Sequence, residues 1–263
     1  MGAVETFCNE LTVYTPRDAK LLRIGREQDG GYVCVGDRLG GDQLFSYGVG
    51  DDISFELDFD HHNCCIGDVY LFDHTVENLP EGAPNRFHFV KEALGRTSIE
   101  EHLDMYGLPG FDKTLKMDVE WSEWEAYEAT SSRVLGQFSQ IVCELHVVPI
   151  QFSRTDQTPY FDRFFKSTYD KVNEYMFTIY TNALKRIKRT HTLVHLHPNN
   201  SLPCIELDGF KIPQLLEATF LHTKLAGPCA EYAGRLPRPG LDFPNKPWKP
   251  EIENFYPFVK HVA

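Results

Sequence analysis

Short apolar runs bounded by turn residues alternate along this chain with stretches whose apolar positions recur at helical spacing, the pattern of an α/β fold. Leu44, Phe45, Tyr47 and Val49 predict a buried strand that breaks at Gly48-x-Gly50 and two acids, Asp51 and Asp52. Ile53, Phe55, Leu57 and Phe59 then continue as an amphipathic helix. Val69–Phe72 is a second strand, ending in Asp73-His74-Thr75, and Arg86–Val90 a third, running into Lys91–Gly95. Ile99–Tyr106 has helical spacing. Thr114–Met117 is a strand that ends in Asp118-Val119-Glu120. Trp121–Ala129 follows as a helix, with Ser122 and Glu125 at capping-box spacing. Gln140–Cys143 is the next strand and terminates in Glu144-Leu145-His146. Beyond Pro149, Tyr160–Tyr169 and Val172–Lys188 are helical, Leu193–His197 is a strand, and Leu216–Leu221 is its expected hairpin partner.

The flanks are simpler. Tyr32–Val35 is expected as an edge hairpin strand laid against the domain, with Asp29-Gly30-Gly31 as a loop able to fold over the ligand end of the sheet. From Gly227 onward the chain is proline-rich and expected to wrap the surface irregularly. The expected organisation is one domain: a lead-in over 1–43, a core over 44–226 and a tail over 227–263.

Three strands thus end in titratable side chains: Asp73, Asp118 with Glu120, and Glu144 with His146. In open α/β sheets ligands bind beyond the carboxyl ends of the strands, so these groups are expected to share one crevice. The strand–glycine turn–helix corner suits a phosphate-bearing or nucleoside ligand, because the helix start offers free N–H groups. An acid one strand later, at Asp73, suits a ribose, since a carboxylate accepts from both vicinal hydroxyls. A dinucleotide dehydrogenase is disfavoured because Ile53 stands where the third glycine of G-x-G-x-x-G belongs.

Composition narrows this further. With 263 residues and a net charge of −12, the chain is expected not to bind nucleic acid as its main task. The basic run Lys185–Arg189 reads as a solvated helix face. No apolar run is long enough to span a bilayer and no signal-peptide pattern opens the chain. The seven cysteines lack metal-finger spacing and read as reduced thiols. The expected setting is the cytoplasm, or the soluble part of a longer membrane-anchored protein.

Three motifs together resemble the class I S-adenosylmethionine-dependent methyltransferases, and within them the FkbM-like group. They are Phe45–Glu56 (FSYGVGDDISFE), Val69–Asp73 (VYLFD) and Leu115–Glu125 (LKMDVEWSEWE), the last similar to the group's K-x-D-x-E-G-x-E signature. The resemblance spans roughly residues 23–221 and implies a Rossmann-like, mostly parallel seven-stranded sheet with one antiparallel strand and helices on both faces. It also implies S-adenosylmethionine held at Gly48, Gly50 and Asp52, with Asp73 on the ribose, Phe72 and His74 on the adenine side and Asp118 near the methyl group. Trp121 replaces the glycine of the third motif, which implies a different turn or pocket wall beside Asp118.

Methyl transfer to a hydroxyl needs positioning and removal of a proton. His146 is the favoured base, with Glu144 or Asp118 orienting it. Two other assignments stay open: Asp118, Glu144 and His146, joined by His197, as ligands of a divalent metal, or each histidine as structural. His195 and His197 are expected to point to opposite faces, so that at most one meets the crevice. Trp121, Trp124, Tyr160, Phe161 and Tyr175 suit stacking on a substrate, while Phe161, Phe164 and Phe165 are better read as core. The acceptor expected is a hydroxyl of a sugar, glycan or small polar molecule. N- or carboxyl-methylation, or a non-catalytic cofactor-binding domain, are the alternatives.

Overall fold

The computed structural model describes residues 2–39, 41, 43–63, 67–95, 97–110, 112–147 and 159–255, with side chains of the long helix from Lys171. In chain order the elements are α1 (Ala3–Glu10), β1 (Tyr14–Pro16), β2 (Leu21–Ile24), β3 (Tyr32–Val35), β4 (Gln43–Tyr47), α2 (Ser54–His62), β5 (Asp68–Phe72) and β6 (Phe87–Val90). They continue with α3 (Ile99–Tyr106), β7 (Lys113–Met117), α4 (Glu123–Ala129), α5 (Ser132–Leu135), β8 (Phe138–His146) and α6 (Pro159–Lys188). Last come β9 (His191–Pro198), β10 (Cys204–Leu207), β11 (Phe210–Pro213), β12 (Leu215–His222), α7 (Thr223–Ala226) and β13 (Cys229–Glu231).

Seven strands form the main sheet in the order β6-β5-β4-β7-β8-β12-β9. The pairs from β6 to β8 are parallel, and β12 runs antiparallel to both β8 and β9. This is the mostly parallel seven-stranded sheet expected from the sequence, with β12 as its one reversed strand. The chain steps outward from β4 to β5 and β6, then returns through α3 to place β7 on the other side of β4. That reversal opens a crevice at the carboxyl ends of β4 and β7.

The strands are buried on both faces, and their side chains alternate between two cores. Phe45, Tyr47, Phe72, Ile141, Cys143 and Leu145 join the core under α1, α3, α4 and α6, whereas Leu44, Val69, Leu71 and Val142 join Phe55 and Phe59 of α2. On the first side Phe7 of α1 meets Phe177 of α6 edge-on at 5.2 Å and Trp124 of α4 lies 4.4 Å from Tyr180. No helix among the described residues is long and apolar enough to cross a membrane, and Cys8, Cys34, Cys143, Cys204 and Cys229 are free.

Several local expectations change. The β2–β3 hairpin does not sit at an edge: all four residues of β3 are buried, Val35 N donates to Gln140 Oε1 at 2.6 Å, and Thr219 Oγ1 donates to the Val33 carbonyl. It therefore lies across β8 and β12 and completes the second core. The capping box forms at Ser98 and Glu101, not at Ser122 and Glu125; Ser122 already has helical backbone angles and its side chain caps nothing. Strand β8 runs through Glu144 to His146 instead of stopping at Cys143. The regions expected as two helices after Pro149 form one, α6.

His195 and His197 point to the same face, because side chains two apart on a strand share a face and the β9 irregularity lies before His195. Both are buried under the C-terminal segment, His195 Nε2 lying 3.0 Å from Asp242 Oδ1 and His197 bonding Glu217 and Glu251. The proline-rich segment thus does more than cover the surface: it carries polar partners for β9 and β12, including Asn245, which donates to Glu217 at 2.7 Å.

Candidate active site

A pocket of about 520 Å³ opens at the carboxyl ends of β4, β5, β6 and β7. Its floor is Tyr47 and Phe72, whose rings stack at 4.5 Å, and Phe72 stacks in turn on buried His102 at 4.2 Å. Of the cofactor residues expected from sequence, Gly48, Gly50, Phe72, Asp73, His74 and Asp118 line this space.

The glycine turn has a steric cause. Gly48 has φ of +73°, and a Cβ there would stand 1.5 Å from the Asp118 carbonyl oxygen. The β4 and β7 ends therefore approach more closely than any side chain allows. Gly50, at φ +58°, turns its N–H to Asp73 Oδ2 at 2.8 Å. Asp73 Oδ1 accepts from the backbone and hydroxyl of Thr75, both at 2.6 Å. Burial alone would raise the Asp73 pKa, but the hydrogen bonds from Thr75, Gly50 and Val76 outweigh it and hold the carboxyl below its usual value.

Asp52 departs from the expectation. It accepts from Ser54 N at 2.9 Å and pairs with Arg26 at 3.2 Å, so it anchors the start of α2 to the β2–β3 turn and is not among the pocket-lining residues. The Asp29-Gly30-Gly31 loop likewise stays out of the pocket lining; Asp29 faces Lys246 at 3.4 Å. The hairpin contributes instead through Tyr32, whose hydroxyl donates to Asp118 Oδ2 at 2.9 Å.

Beside Asp118 lies a second group of side chains. His146 Nδ1 faces Glu123 Oε1 at 2.9 Å, and the His146 backbone N–H donates to the same oxygen at 2.6 Å. The Glu123 side chain is fully buried. His146 Nε2 lies 3.3 Å from Glu120 Oε2 and 3.5 Å from Glu144 Oε2. Burial would lower the His146 pKa, but its bond to Glu123 and the charges of Glu123, Glu144 and Asp118 bring it up to about 9. Glu144 is pushed well up by burial and by the Asp118 charge, and its Oε1 accepts from Asn199 Nδ2 at 2.5 Å. Asp118, Glu144 and His146, predicted from two strand ends, are thus neighbours in space.

Sequence reasoning placed Glu120 at the crevice but missed the site roles of Glu123, Tyr32 and Asn199. Glu123 did carry a signal, since it stands at the final glutamate of the K-x-D-x-E-G-x-E signature; that it grips a histidine two elements later is not a local property. The divalent-metal alternative also changes membership: ligand atoms of Asp118, Glu120 and His146 all lie within 4.8 Å of one another, while His197 is engaged elsewhere. Trp121, where a different turn or pocket wall beside Asp118 was expected, lies in a left-handed turn. Glu120 and Trp121 both take positive φ, +48° and +83°, and the indole projects over His146 with ring centroids 5.5 Å apart.

No protein-family model matches this chain, and no curated protein sequence matches it. Among solved structures it is similar to a Clostridium thermocellum protein described as a candidate rRNA-methylase, with 11% identity and a TM-score of 0.34 over 71% of this chain and 92% of the other. It is also similar to bluetongue virus VP4, described as a multifunctional RNA-capping production line, with 13% identity and a TM-score of 0.35 over 80% of this chain; the chain spans 30% of that protein. Both descriptions name RNA, so the expectation that nucleic acid is no partner does not stand. Its basis was net charge, which sums the whole surface and leaves the local surface beside a site undetermined.

Proposed function

We propose that this protein is an S-adenosylmethionine-dependent methyltransferase that O-methylates a hydroxyl of a sugar or other small polar molecule. The observation that carries the proposal is the crevice at the switch between β4 and β7, with a glycine corner on one side and an ionised acid at the next strand end. The residues present fit the cofactor. The space is in the range of small-molecule sites, Gly50 leaves bare backbone open to close approach, and Asp73, Glu92, Asp118 and Glu120 give the lining a negative potential suited to a cationic ligand. Gly48 and Gly50 would flank the methionine end, Asp73 the ribose, Phe72 and His74 the adenine side, and Asp118 the methyl group. The third motif supports a place near the FkbM-like group.

When bound, the cofactor supplies a sulfonium methyl group open to in-line displacement. The chain's own part is positioning and proton removal. Glu123 accepts from Nδ1 of His146 and leaves Nε2 as the proton-accepting atom, with Glu144 or Asp118 orienting it. Because the surrounding acids raise the His146 pKa to about 9, the proton-accepting form becomes populated as pH rises toward 9.

Calorimetric titration with S-adenosylhomocysteine tests the cofactor assignment: one site per chain is expected, weakened about 10- to 100-fold by Asp73→Ala, in line with the loss of charge-assisted hydrogen bonds. No binding by the parent chain overturns it. The bond formed is read from labelled product. A methyl ether survives alkali, whereas label released by alkali marks a carboxyl ester, and label sensitive to ribonuclease moves the acceptor hydroxyl onto RNA.

A further inference from the structure

We infer that Asp118, Glu120 and His146 form a binding site for a divalent cation of the Mn2+ class at the acceptor end of the pocket. The cation's task in methyl transfer rests on the function proposed above; its binding does not.

Spacing is the first argument. Ligands on opposite sides of a cation with bonds of about 2.1–2.3 Å stand about 4.2–4.6 Å apart. The three ligand atoms here all lie within 4.8 Å of one another, before any side chain has adjusted. The second argument is that the nitrogen ligand is already oriented. A metal-binding histidine characteristically gives its other ring N–H to a carboxylate, which fixes its tautomer. His146 Nδ1 faces buried Glu123 at 2.9 Å, and its Nε2 is turned to Glu120 at 3.3 Å. Tyr32 donates to Asp118 Oδ2 at 2.9 Å and so fixes that carboxylate as well.

Charge supplies the third. Four carboxylates, Asp118, Glu120, Glu123 and Glu144, crowd around one imidazole. Lys116 is committed to the Gly48 carbonyl at 3.0 Å. Binding a dication offsets this excess. Two carboxylates with one imidazole suit a hard to borderline ion, and three protein ligands leave positions for water and an acceptor oxygen. Glu144 is not counted as a ligand because Asn199 holds its Oε1. With the cation in place, Nε2 of His146 is a ligand, and polarisation of the acceptor hydroxyl passes from His146 to the ion.

Mn2+ titration of the chelator-treated full chain, followed by electron paramagnetic resonance, is the test. One ion per chain is expected, with affinity reduced about tenfold or more in Glu120→Gln. The Glu120 side chain is 79% exposed, so this variant keeps the fold; His146→Gln is the second variant. S-adenosylhomocysteine binding, measured on the same metal-free samples, reads the pocket independently. Mn2+ binding without S-adenosylhomocysteine binding leaves the cation site standing and removes the methyltransferase reading. No bound Mn2+ at about millimolar concentration, or undiminished affinity in Glu120→Gln, overturns the site.

Discussion

Trp121 shows most directly how a single residue here departs from local preference. A bulky side chain at φ +83° costs about 1–2 kcal/mol relative to a residue that prefers this region. Glycine would relieve that cost while adding about 0.5–1 kcal/mol of backbone entropy on unfolding. The indole is 45% exposed, so little burial is lost with it. Trp121→Gly is therefore expected to raise unfolding free energy by about 0.5–1 kcal/mol, measured by urea titration. S-adenosylhomocysteine binding should not change, because Trp121 is not among the pocket-lining residues, whereas acceptor KM should rise. A variant less stable by about 1 kcal/mol would mean that packing on His146 outweighs the strain. Asp52 makes the converse point: an acid beside a glycine turn looked like a ligand group, but its geometry is that of a helix-start anchor.

Helix starts separate pattern from contact at the scale of the element. Ser98 and Ser122 both stand three residues before a glutamate, and only the first pair closes a capping box. The difference lies upstream. The left-handed pair Glu120–Trp121 delivers Ser122 with helical angles, whereas an N-cap needs extended backbone, as Ser98 has at φ −83° and ψ 162°. Ser98→Ala should cost about 1 kcal/mol and Ser122→Ala only a few tenths, both read as shifts in urea midpoint at constant m-value. Equal losses would contradict the assignment of the caps. Element type and order were otherwise legible: α3 spans the expected residues, and the sheet strands fall on the apolar runs. The faces of β9 were misjudged, although the two-residue side-chain period by itself places His195 and His197 together.

For the whole molecule, buried histidines set opposite limits on stability. His191 is lowered to about 3, by burial and by the charge of His222 against the bond to the Phe138 carbonyl. The unfolded chain binds that proton near pH 6.5, so this contribution is present above pH 6.5 and is lost as pH falls toward 3. His197 behaves oppositely. Burial would lower it, but Glu217 and Glu251 raise it to about 10, so its stabilisation is complete below pH 6.5 and is lost as pH rises toward 10. Stability should peak between about pH 6 and 7 and fall by about 1.4 kcal/mol per pH unit for each net proton on either side. Urea unfolding from pH 5 to 9.5 checks this. His191→Gln should flatten the acid limb and His197→Gln the alkaline limb; a midpoint independent of pH would refute both assignments.

What the sequence determined by itself was local and directional. Apolar runs placed the strands, glycine placed the corner, and strand polarity put Asp73, Asp118, Glu144 and His146 at one edge, because periodicity and chain direction are carried by neighbouring residues. What the tertiary structure alone decided was which of these groups meet. Glu123 reaches His146 across 23 residues, Tyr32 reaches Asp118 across 86, and Asp242 reaches His195 from the tail. Such meetings depend on sheet order, register and the path of the hairpin, which no window of sequence contains.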